Sequence, residues 1–294
     1  MKDVKPKNQH SNILISLLMV VAAVLLLLAQ SAYWLNHNIF DKNTFTQTTQ
    51  SVLFKESSRN AIANTIVDKA LAKKPLIRRL VGDRAVSFVS SLLGTDIGNQ
   101  TMSYVVNSSY EYATTSNRKD VAIDLTSIKT PLSGVVSFAE NRGSNIKFDP
   151  SNIPDQVVLL SSNNFPDYSG SQRAILILAP LLWLGSIAGF AVYVYVDKKK
   201  YVKHFYHAGV AIISVSLLGL FIGPFTPPIV ASLLNNTELR VIAQDLTIAF
   251  LNPFQIQMYV TITVASIVLI IFSQRVRIMM FINKIAQKIS KPGK

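Results

Sequence analysis

Four long apolar stretches interrupt an otherwise polar chain and set its predicted organisation. They run from Ile13 to Trp34, from Ala174 to Val196, from Ala208 to about Leu234, and from Ile256 to Phe272. A helix needs about 20 apolar residues to cross the hydrocarbon core of a bilayer. The pattern therefore predicts four transmembrane helices, with the long polar segment after the first of them as a water-facing domain.

We predict a mainly α, polytopic membrane protein with four transmembrane helices and an extracytoplasmic helical domain that carries a small β patch. Among the water-facing segments, only 36–172 is long enough for a domain with its own core. In chain order the predicted segments are a cytoplasmic N-terminus (1–12), transmembrane helix 1 (13–35), the extracytoplasmic domain (36–172), transmembrane helix 2 (173–196), a cytoplasmic loop (197–207), transmembrane helix 3 (208–228), an extracytoplasmic loop with a surface helix (229–255), transmembrane helix 4 (256–273) and a basic cytoplasmic tail (274–294).

The hydrophobic period changes part-way along the extracytoplasmic segment. In its first half, apolar residues recur at helical spacing and predict helices over 43–54, 56–72, 75–93 and 99–115. In its second half, Val121, Ile123 and Leu125 alternate with small or polar residues, which predicts a strand. A short helix over 131–140 and a brief apolar run over 157–160 follow. We therefore expect a two-stranded patch beside a helical bundle.

The composition supports a membrane protein and removes several chemistries. Of the 294 residues, 49% are hydrophobic and 15% are charged, and the mean hydropathy is +0.32. Soluble domains carry about 25% charged residues, so these values argue against a soluble globular protein. The chain has no cysteine, which excludes disulfides, thiolate metal sites and cysteine nucleophiles.

The net charge of +13 raises the question of whether the protein binds nucleic acid. The distribution of the basic residues along the chain answers this question. The segments 1–12, 197–207 and 274–294 together carry 13 basic residues, whereas 36–173 carries 15 basic and 12 acidic residues. An excess of Lys and Arg in short segments on one side of the spans marks the cytoplasmic side. We therefore predict cytoplasmic termini and the lipid bilayer as a partner. We predict no nucleic-acid partner, because nucleic-acid binding concentrates basic residues on one folded surface.

The first span is either an uncleaved anchor or a cleaved signal peptide. Its apolar run is longer than the roughly 7–15 residues of a signal-peptide core. Tyr33-Trp34 then provide an aromatic anchor at the interface. These features favour an uncleaved signal anchor, although Ala29-Gln30-Ser31 is an acceptable cleavage sequence and keeps the alternative open.

The interior of the spans lacks Asp, Glu, Lys, Arg and His. We interpret the polar content of the spans as serine and threonine, such as Ser214, Ser216, Thr261 and Thr263. These hydroxyls can bond to their own helix and require no function. Ionisable residues inside a membrane usually mark proton relays or ion paths. Their absence from this sequence argues against a proton-coupled transporter, a pump or an intramembrane metalloprotease.

Two glycine pairs have the spacing of helix-packing motifs, namely Gly185 with Gly189 and Gly219 with Gly223. Small residues four positions apart let two helix backbones approach closely. One hypothesis is a contact with a second copy of the chain, which would form a homo-oligomer. The favoured hypothesis is packing within the four-helix bundle.

The third span ends in Gly223-Pro224-Phe225-Thr226-Pro227-Pro228. Proline lacks a backbone donor and clashes with the preceding helical turn, so we predict an exit turn here. The alternative is a broken helix that lines a binding site at the membrane midplane. Asn235-Asn236-Thr237-Glu238 then resembles a turn and a helix start, which predicts a surface helix in the loop that follows.

No catalytic, cofactor-binding or metal site is predicted, and the protein is expected not to be an enzyme. His204 and His207 have a spacing compatible with a metal ion, but they flank lysines and lack an adjacent acidic partner. Asp120 and Asp124 would share a strand face without a pocket to specify acid–base work. The sequence contains no P-loop, dinucleotide-binding, zinc-protease or nucleophile-elbow motif.

One group of basic residues in the extracytoplasmic segment has a candidate binding role. One hypothesis is contact with anionic envelope polymers or lipid headgroups. The favoured alternative is a solvated helix face opposite the core stripe. The group surrounds the start of the third predicted helix, has Asp83 as its nearest acid, and consists of Lys73, Lys74, Arg78, Arg79 and Arg84.

The order of the sequence features along the chain resembles that of a known group of membrane proteins. The anchor ends in aromatics and is followed by Asn36-His37-Asn38-Ile39-Phe40-Asp41, a helical region, a strand over 121–125, and a second apolar strand that leads into span two over 157–172. That span exits through Asp197-Lys198-Lys199-Lys200 into a third span that bears Gly209. This order resembles an uncharacterised family of four-span integral membrane proteins common in actinobacteria. The resemblance implies the same topology and brings no activity, cofactor or site residue.

Two functional hypotheses follow from these patterns. The first is a non-enzymatic envelope scaffold or sensor whose extracytoplasmic domain binds an envelope protein or an anionic polymer. The alternative is a transporter or lipid-handling protein, in which the uncharged spans and the proline break form a hydrophobic path. A membrane-embedded enzyme is the third candidate.

Overall fold

A computed structural model describes residues 9–71, 75–115, 121–124, 126, 156–160, 168–196, 200–234 and 236–289, and the chain is mainly helical there. A π-helical turn over Leu35–Ile39 follows the first helix, and the strands β1 (Val121–Asp124) and β2 (Gln156–Leu160) come before the helix that begins at Ser169. The short helix predicted over 131–140 lies outside the described residues. The helices are α1 (Gln9–Trp34), α2 (Lys42–Leu53), α3 (Glu56–Ala70), α4 (Pro75–Leu93), α5 (Asp96–Thr114), α6 (Ser169–Tyr195), α7 (Tyr201–Ser232) and α8 (Thr237–Ile289).

Four helical stretches are long and apolar enough to cross a membrane. They are Leu14–Ile39, Ser169–Tyr195, Tyr201–Ser232 and Thr237–Met279. Each contains most or all of one predicted span, so the prediction of a multi-pass membrane protein is confirmed at the level of length and composition.

The chain divides into two compact units, each built from separate stretches of sequence. The membrane unit comprises Met1–Tyr33, Leu176–Pro224 and Pro253–Lys294. The α2–α5 unit comprises Trp34–Ile175 and Phe225–Asn252. The second unit therefore includes residues 225–252 in addition to the whole of the predicted extracytoplasmic domain, 36–172.

The core of the α2–α5 unit lies mainly between α3 and α4, with a contribution from α5. The predicted apolar stripes supply it, which confirms the helical interpretation of this region. Because the stripes recur every three or four residues, each helix presents one continuous apolar side to its neighbour. The buried core residues are Ala63, Val67, Leu71, Ala85, Val89, Leu93 and Met102.

Side-chain caps fix where two of these helices begin. Asp41 precedes α2, and its Oδ1 accepts a hydrogen bond from the Thr44 backbone N–H at 2.8 Å. Thr95 precedes α5, and its hydroxyl accepts from the Gly98 N–H at 3.3 Å. Such caps satisfy backbone donors that have no partner within the helix. A Cβ at Gly98 would collide with the backbone of Leu92 and Leu93, so this turn requires glycine.

The two strands pair antiparallel. Asp124 lies opposite Gln156, Ile123 opposite Val157, and Ala122 opposite Val158. The register shifts between Val121 and Ala122, as occurs where one strand carries an extra residue.

The prediction of an exit turn at the prolines is wrong. Helix α7 continues past Pro224, Pro227 and Pro228 and ends at Ser232. Each proline removes only one backbone donor, and membrane helices tolerate that loss when neighbouring groups take up the freed carbonyl. The prolines coincide instead with the division between the units, because the membrane unit ends at Pro224 on this helix.

The prediction of a separate surface helix before the fourth span is also wrong. Residues 237–289 form the single helix α8, with Pro253 inside it. The predicted helix start is confirmed, because the Asn236 side chain accepts hydrogen bonds from the N–H groups of Glu238 at 2.9 Å and Leu239 at 3.4 Å. The polar composition of residues 237–252 suggested a break that the backbone does not make.

Shortening a core valine should destabilise the α2–α5 unit. Val67 is 0% exposed, so Val67→Ala removes buried methyl groups and leaves a cavity at a cost of about 2 kcal/mol. The amides of α3 and α4 should then exchange with solvent roughly thirtyfold faster in a hydrogen–deuterium exchange measurement. Val241→Ala, at a residue of the same unit that is 47% exposed, is the matched control. Equal acceleration in both variants would contradict this core.

The cap at the start of α2 should make the unit sensitive to acid. Hydrogen bonds from Thr44, first from its backbone and then from its side chain, hold the pKa of Asp41 below its ordinary value. A depressed folded-state pKa stabilises the fold above about pH 4, and this stabilisation is lost as the pH falls through the lower folded-state pKa. Asp41→Asn keeps a capping oxygen and should remove this dependence. Melting temperatures measured between about pH 2 and pH 6 test it, with exposed Asp83→Asn as the control.

Candidate functional site

In the predicted basic cluster, one arginine is neutralised by an ion pair, and two others have charges that remain available to a binding partner. Arg78 forms an ion pair through its Nε with Asp68, and its Nη2 donates to the Asn64 side chain at 3.3 Å. Arg79 and Arg84 are exposed on α4 and form no ion pair with any residue in the described ranges. Lys73 and Lys74 lie outside those ranges. The arginine-bearing surface of α4 extends about 140° around the helix axis from Arg79 to Arg84, with exposed Asp83 between them. We call this surface the cationic face of α4.

Helix α3 and a glycine fix the position of Arg78. The Arg78 guanidinium lies across Gly82, where any Cβ would meet it. Asp68 and Asn64 hold the guanidinium from the neighbouring helix. Arg78 therefore connects α4 to α3, and the Asp68 carboxylate largely compensates its charge. Among the described residues of the predicted cluster, Arg79 and Arg84 keep charges that can attract a partner.

The predicted packing glycines of the membrane unit lie against helices of the same chain. A Cβ at Gly189 would lie 2.9 Å from the Ala22 Cβ, and one at Gly185 would lie 3.4 Å from Leu25 Cδ1, so both face α1. A Cβ at Gly219 would lie 2.8 Å from the sulfur of Met258, which belongs to α8. Gly223 lies against the amide of Gln255, also on α8.

An amide–hydroxyl cluster joins α1 to α8 inside the membrane unit. Gln30 is 0% exposed, and its Nε2 donates to the Thr261 hydroxyl at 2.9 Å. The Gln257 side chain donates to the Gln30 backbone carbonyl at 3.4 Å, and Thr261 in turn donates to the Gln257 carbonyl at 2.9 Å. These bonds connect the two helices in both directions, since each helix donates to the other.

The interpretation that only serine and threonine supply polar groups in the spans is therefore wrong. Gln30 and Gln257 are the polar residues that this interpretation missed. Both glutamines can be recognised in the sequence of the spans. A glutamine inside an apolar run needs a hydrogen-bond partner, because no water is available to its amide there. Which partner each one finds depends on the fold.

The hydroxyls of the spans divide into two kinds. Thr261 and Thr263 donate to carbonyls of their own helix, as predicted. Ser186 instead donates across to the Ala22 carbonyl of α1 at 3.0 Å. Ser216 is 0% exposed, and its hydroxyl has no hydrogen-bond partner among the described residues. No hydrogen bond to a carbonyl of its own helix is found for either hydroxyl of the second kind among the described residues.

A tyrosine and two histidines meet where α6 ends and α7 begins. Tyr193 is 3% exposed, and its hydroxyl shares a hydrogen bond with Nδ1 of His207 at 3.2 Å. The ring of His204 packs on Tyr193 with 4.9 Å between ring centroids and 31° between ring planes. His204 is buried and its Nδ1 has no partner within the described ranges. The two histidines therefore serve different contacts, and the described residues contain no group of three His, Cys, Asp or Glu able to hold a metal ion.

The Asn36 to Asp41 stretch has a structural role in the α2–α5 unit. The Phe40 carbonyl accepts hydrogen bonds from the Tyr110 hydroxyl at 2.5 Å and from the Gln172 amide at 3.3 Å. Burial raises the pKa of Tyr110, and the nearby Asp41 carboxylate adds to that shift. Asp41 itself caps α2, so this stretch positions α2, α5 and the start of α6 instead of presenting reactive groups.

No protein-family model, curated protein or solved structure matches this chain. The function is therefore argued from the chemistry of the residues. Two groups can act on a partner: the cationic face of α4, which can attract anions, and the donors at the α6–α7 turn. The amide–hydroxyl cluster is engaged chiefly in bonds between its own helices.

Adding a methyl group at the α1–α6 contact should destabilise the membrane unit. In Gly189→Ala the new Cβ meets Ala22, a residue that is 0% exposed. Overpacking of this kind costs about 1–3 kcal/mol, so the purified full-length protein in detergent should unfold at a lower temperature. Gly170→Ala is the matched control, because nothing lies within 4 Å of a Cβ at that position. Identical melting temperatures for the two variants would contradict the contact.

Proposed function

We propose that the protein is a non-enzymatic scaffold or sensor of the cell envelope whose α2–α5 unit binds an anionic polymer or an acidic protein. The observation that supports this proposal is the cationic face of α4. Arg79 and Arg84 project into solvent without a counter-ion in the described structure, while the adjacent Arg78 is held by Asp68. Exposed arginines that form no ion pair suit the recognition of carboxylates and phosphates.

The weakness of exposed charge pairs determines the kind of partner. A single solvent-exposed ion pair contributes only about 0–1 kcal/mol and is screened by salt. Two arginines bind appreciably only when several anionic groups approach together. The partner is therefore a polymer or an acidic protein surface with repeated charges, and not a small monovalent anion.

The charge distribution supports the placement of the α2–α5 unit outside the cytoplasm. Both chain ends and the segment 197–207 carry the basic excess, and such segments remain on the cytoplasmic side of bacterial membranes. With four crossings, both termini are cytoplasmic and the protein is a multi-pass component of the cell membrane. The cationic face then meets the polymers and proteins of the envelope.

Neutralising the cationic face should weaken binding of a polyanion. The full-length protein in lipid nanodiscs should bind soluble poly-L-glutamate, and Arg79→Gln with Arg84→Gln should raise the dissociation constant roughly threefold to tenfold. Arg173→Gln is the control, because Arg173 is exposed in the same unit but lies on α6. Increasing ionic strength should reduce the difference between wild type and the double variant. Equal affinity of all three proteins at low salt would overturn the proposal.

A further inference from the structure

One side of α7 is exposed along most of its length and changes character along the way. Lys203 and His207, one turn apart near the start of the helix, are both exposed. The same helical stripe continues with Val210, Ser214, Leu218 and Phe221, where Val210, Leu218 and Phe221 are 55%, 59% and 66% exposed. Residues three or four positions apart occupy one side of a helix. This α7 stripe therefore carries polar donors at one end and apolar side chains beyond them.

Tyr193 sets the orientation of the histidine in the α7 stripe. The hydrogen bond of 3.2 Å joins the Tyr193 hydroxyl to Nδ1 of His207. When the hydroxyl donates, the neutral imidazole carries its proton on Nε2, on the other side of the ring. The buried ring of His204 packs on Tyr193 and limits its movement. In that tautomer, His207 is held with a donor directed away from Tyr193.

We propose that the α7 stripe is a binding site for an anionic phospholipid. The Lys203 ammonium and the His207 Nε2–H donate to phosphate oxygens of the headgroup, and an acyl chain lies along Val210, Leu218 and Phe221. From Val210 to Phe221 the helix rises about 16 Å, which matches the length of an extended acyl chain in one leaflet.

The charge of the site favours an anionic over a zwitterionic lipid. Lys200 is exposed one turn before Lys203 and adds to the positive potential at this end of α7. A zwitterionic headgroup brings its own cation, which these lysines repel, whereas an anionic headgroup leaves its phosphate uncompensated. The basic-residue distribution also predicts that this end of α7 lies at the cytoplasmic leaflet, where the anionic lipids of a membrane attract basic residues.

Competition between two lipids in one membrane tests the site. Full-length protein is reconstituted in nanodiscs with equal amounts of dioleoylphosphatidylglycerol and dioleoylphosphatidylcholine. Native mass spectrometry then gives the ratio of the two lipids that remain bound. The wild type should retain phosphatidylglycerol in excess, and Lys203→Gln should reduce that excess about fivefold. Arg277→Gln is the matched control, because Arg277 is an exposed cation on α8, and it should leave the ratio unchanged.

Tyr193→Phe separates a positioning role from simple helix packing. The variant keeps the aromatic ring but loses the hydroxyl that bonds to His207. If the site is built as proposed, the phosphatidylglycerol excess falls while phosphatidylcholine retention stays the same. An unchanged lipid ratio with a lower melting temperature would assign the hydroxyl to helix packing alone.

Two results would overturn the lipid site itself. The first is equal retention of both lipids by the wild type. The second is an equal loss of selectivity in Lys203→Gln and Arg277→Gln, which would indicate a diffuse attraction to the whole basic surface. Neither outcome depends on the cationic face of α4, so this site and the proposed function stand or fall separately.

Discussion

The membrane unit depends on close contacts between helices, because lipid offers apolar side chains as good an environment as another helix does. Two kinds of contact meet this requirement here. Gly189 lets α6 approach α1 at Ala22, and Gly219 admits the side chain of Met258 from α8. Gln30 and Thr261 then add hydrogen bonds between α1 and α8. Helix α1 takes part in both kinds of contact, so it is an integral member of the unit.

This role of α1 bears on the cleavage sequence Ala29-Gln30-Ser31. Ala29 and Gln30 are both 0% exposed and lie within a continuous helix. A protease that cuts after a signal peptide needs an accessible, extended backbone at its target. Removal of residues up to Ala29 would also take away Ala22, which packs against Gly189 and accepts the hydrogen bond from Ser186. The uncleaved anchor is a prediction, and α1 contributes buried residues to the membrane unit.

Sequence patterns predicted the elements that depend on a repeated local signal. The length of the apolar runs identified the four spans, and the separate apolar stripes that include Val67 on α3 and Val89 on α4 identified the helices of the α2–α5 core. Proline and polar composition gave wrong predictions at α7 and α8, because the cost of the backbone hydrogen bonds lost at the prolines is smaller than the gain from continuing a packed helix. Rules based on single residues evaluate each position separately, whereas the packing of the whole helix determines where the helix ends.

The candidate sites were predictable only in part, because they depend on residues far apart in the chain. The cluster of basic residues was recognisable in the sequence, but which arginines are neutralised and which remain unpaired was not. Asp68 and Asn64 neutralise Arg78 only because α3 and α4 pack side by side. His204 and His207 were visible as a spaced pair, yet their roles come from Tyr193 on another helix. Spacing along one helix says nothing about such partners.

The discontinuous make-up of the α2–α5 unit has a consequence for attempts to produce it as a soluble fragment. Residues 225–252 contribute contacts that a fragment cut at 36–172 would lack. Phe45 stacks on Phe250 with 5.4 Å between ring centroids, and Lys55 pairs with Asp245 at 3.6 Å. A fragment without the second stretch would expose the ring of Phe45 and associate with other molecules. A soluble version needs both stretches joined by a designed linker.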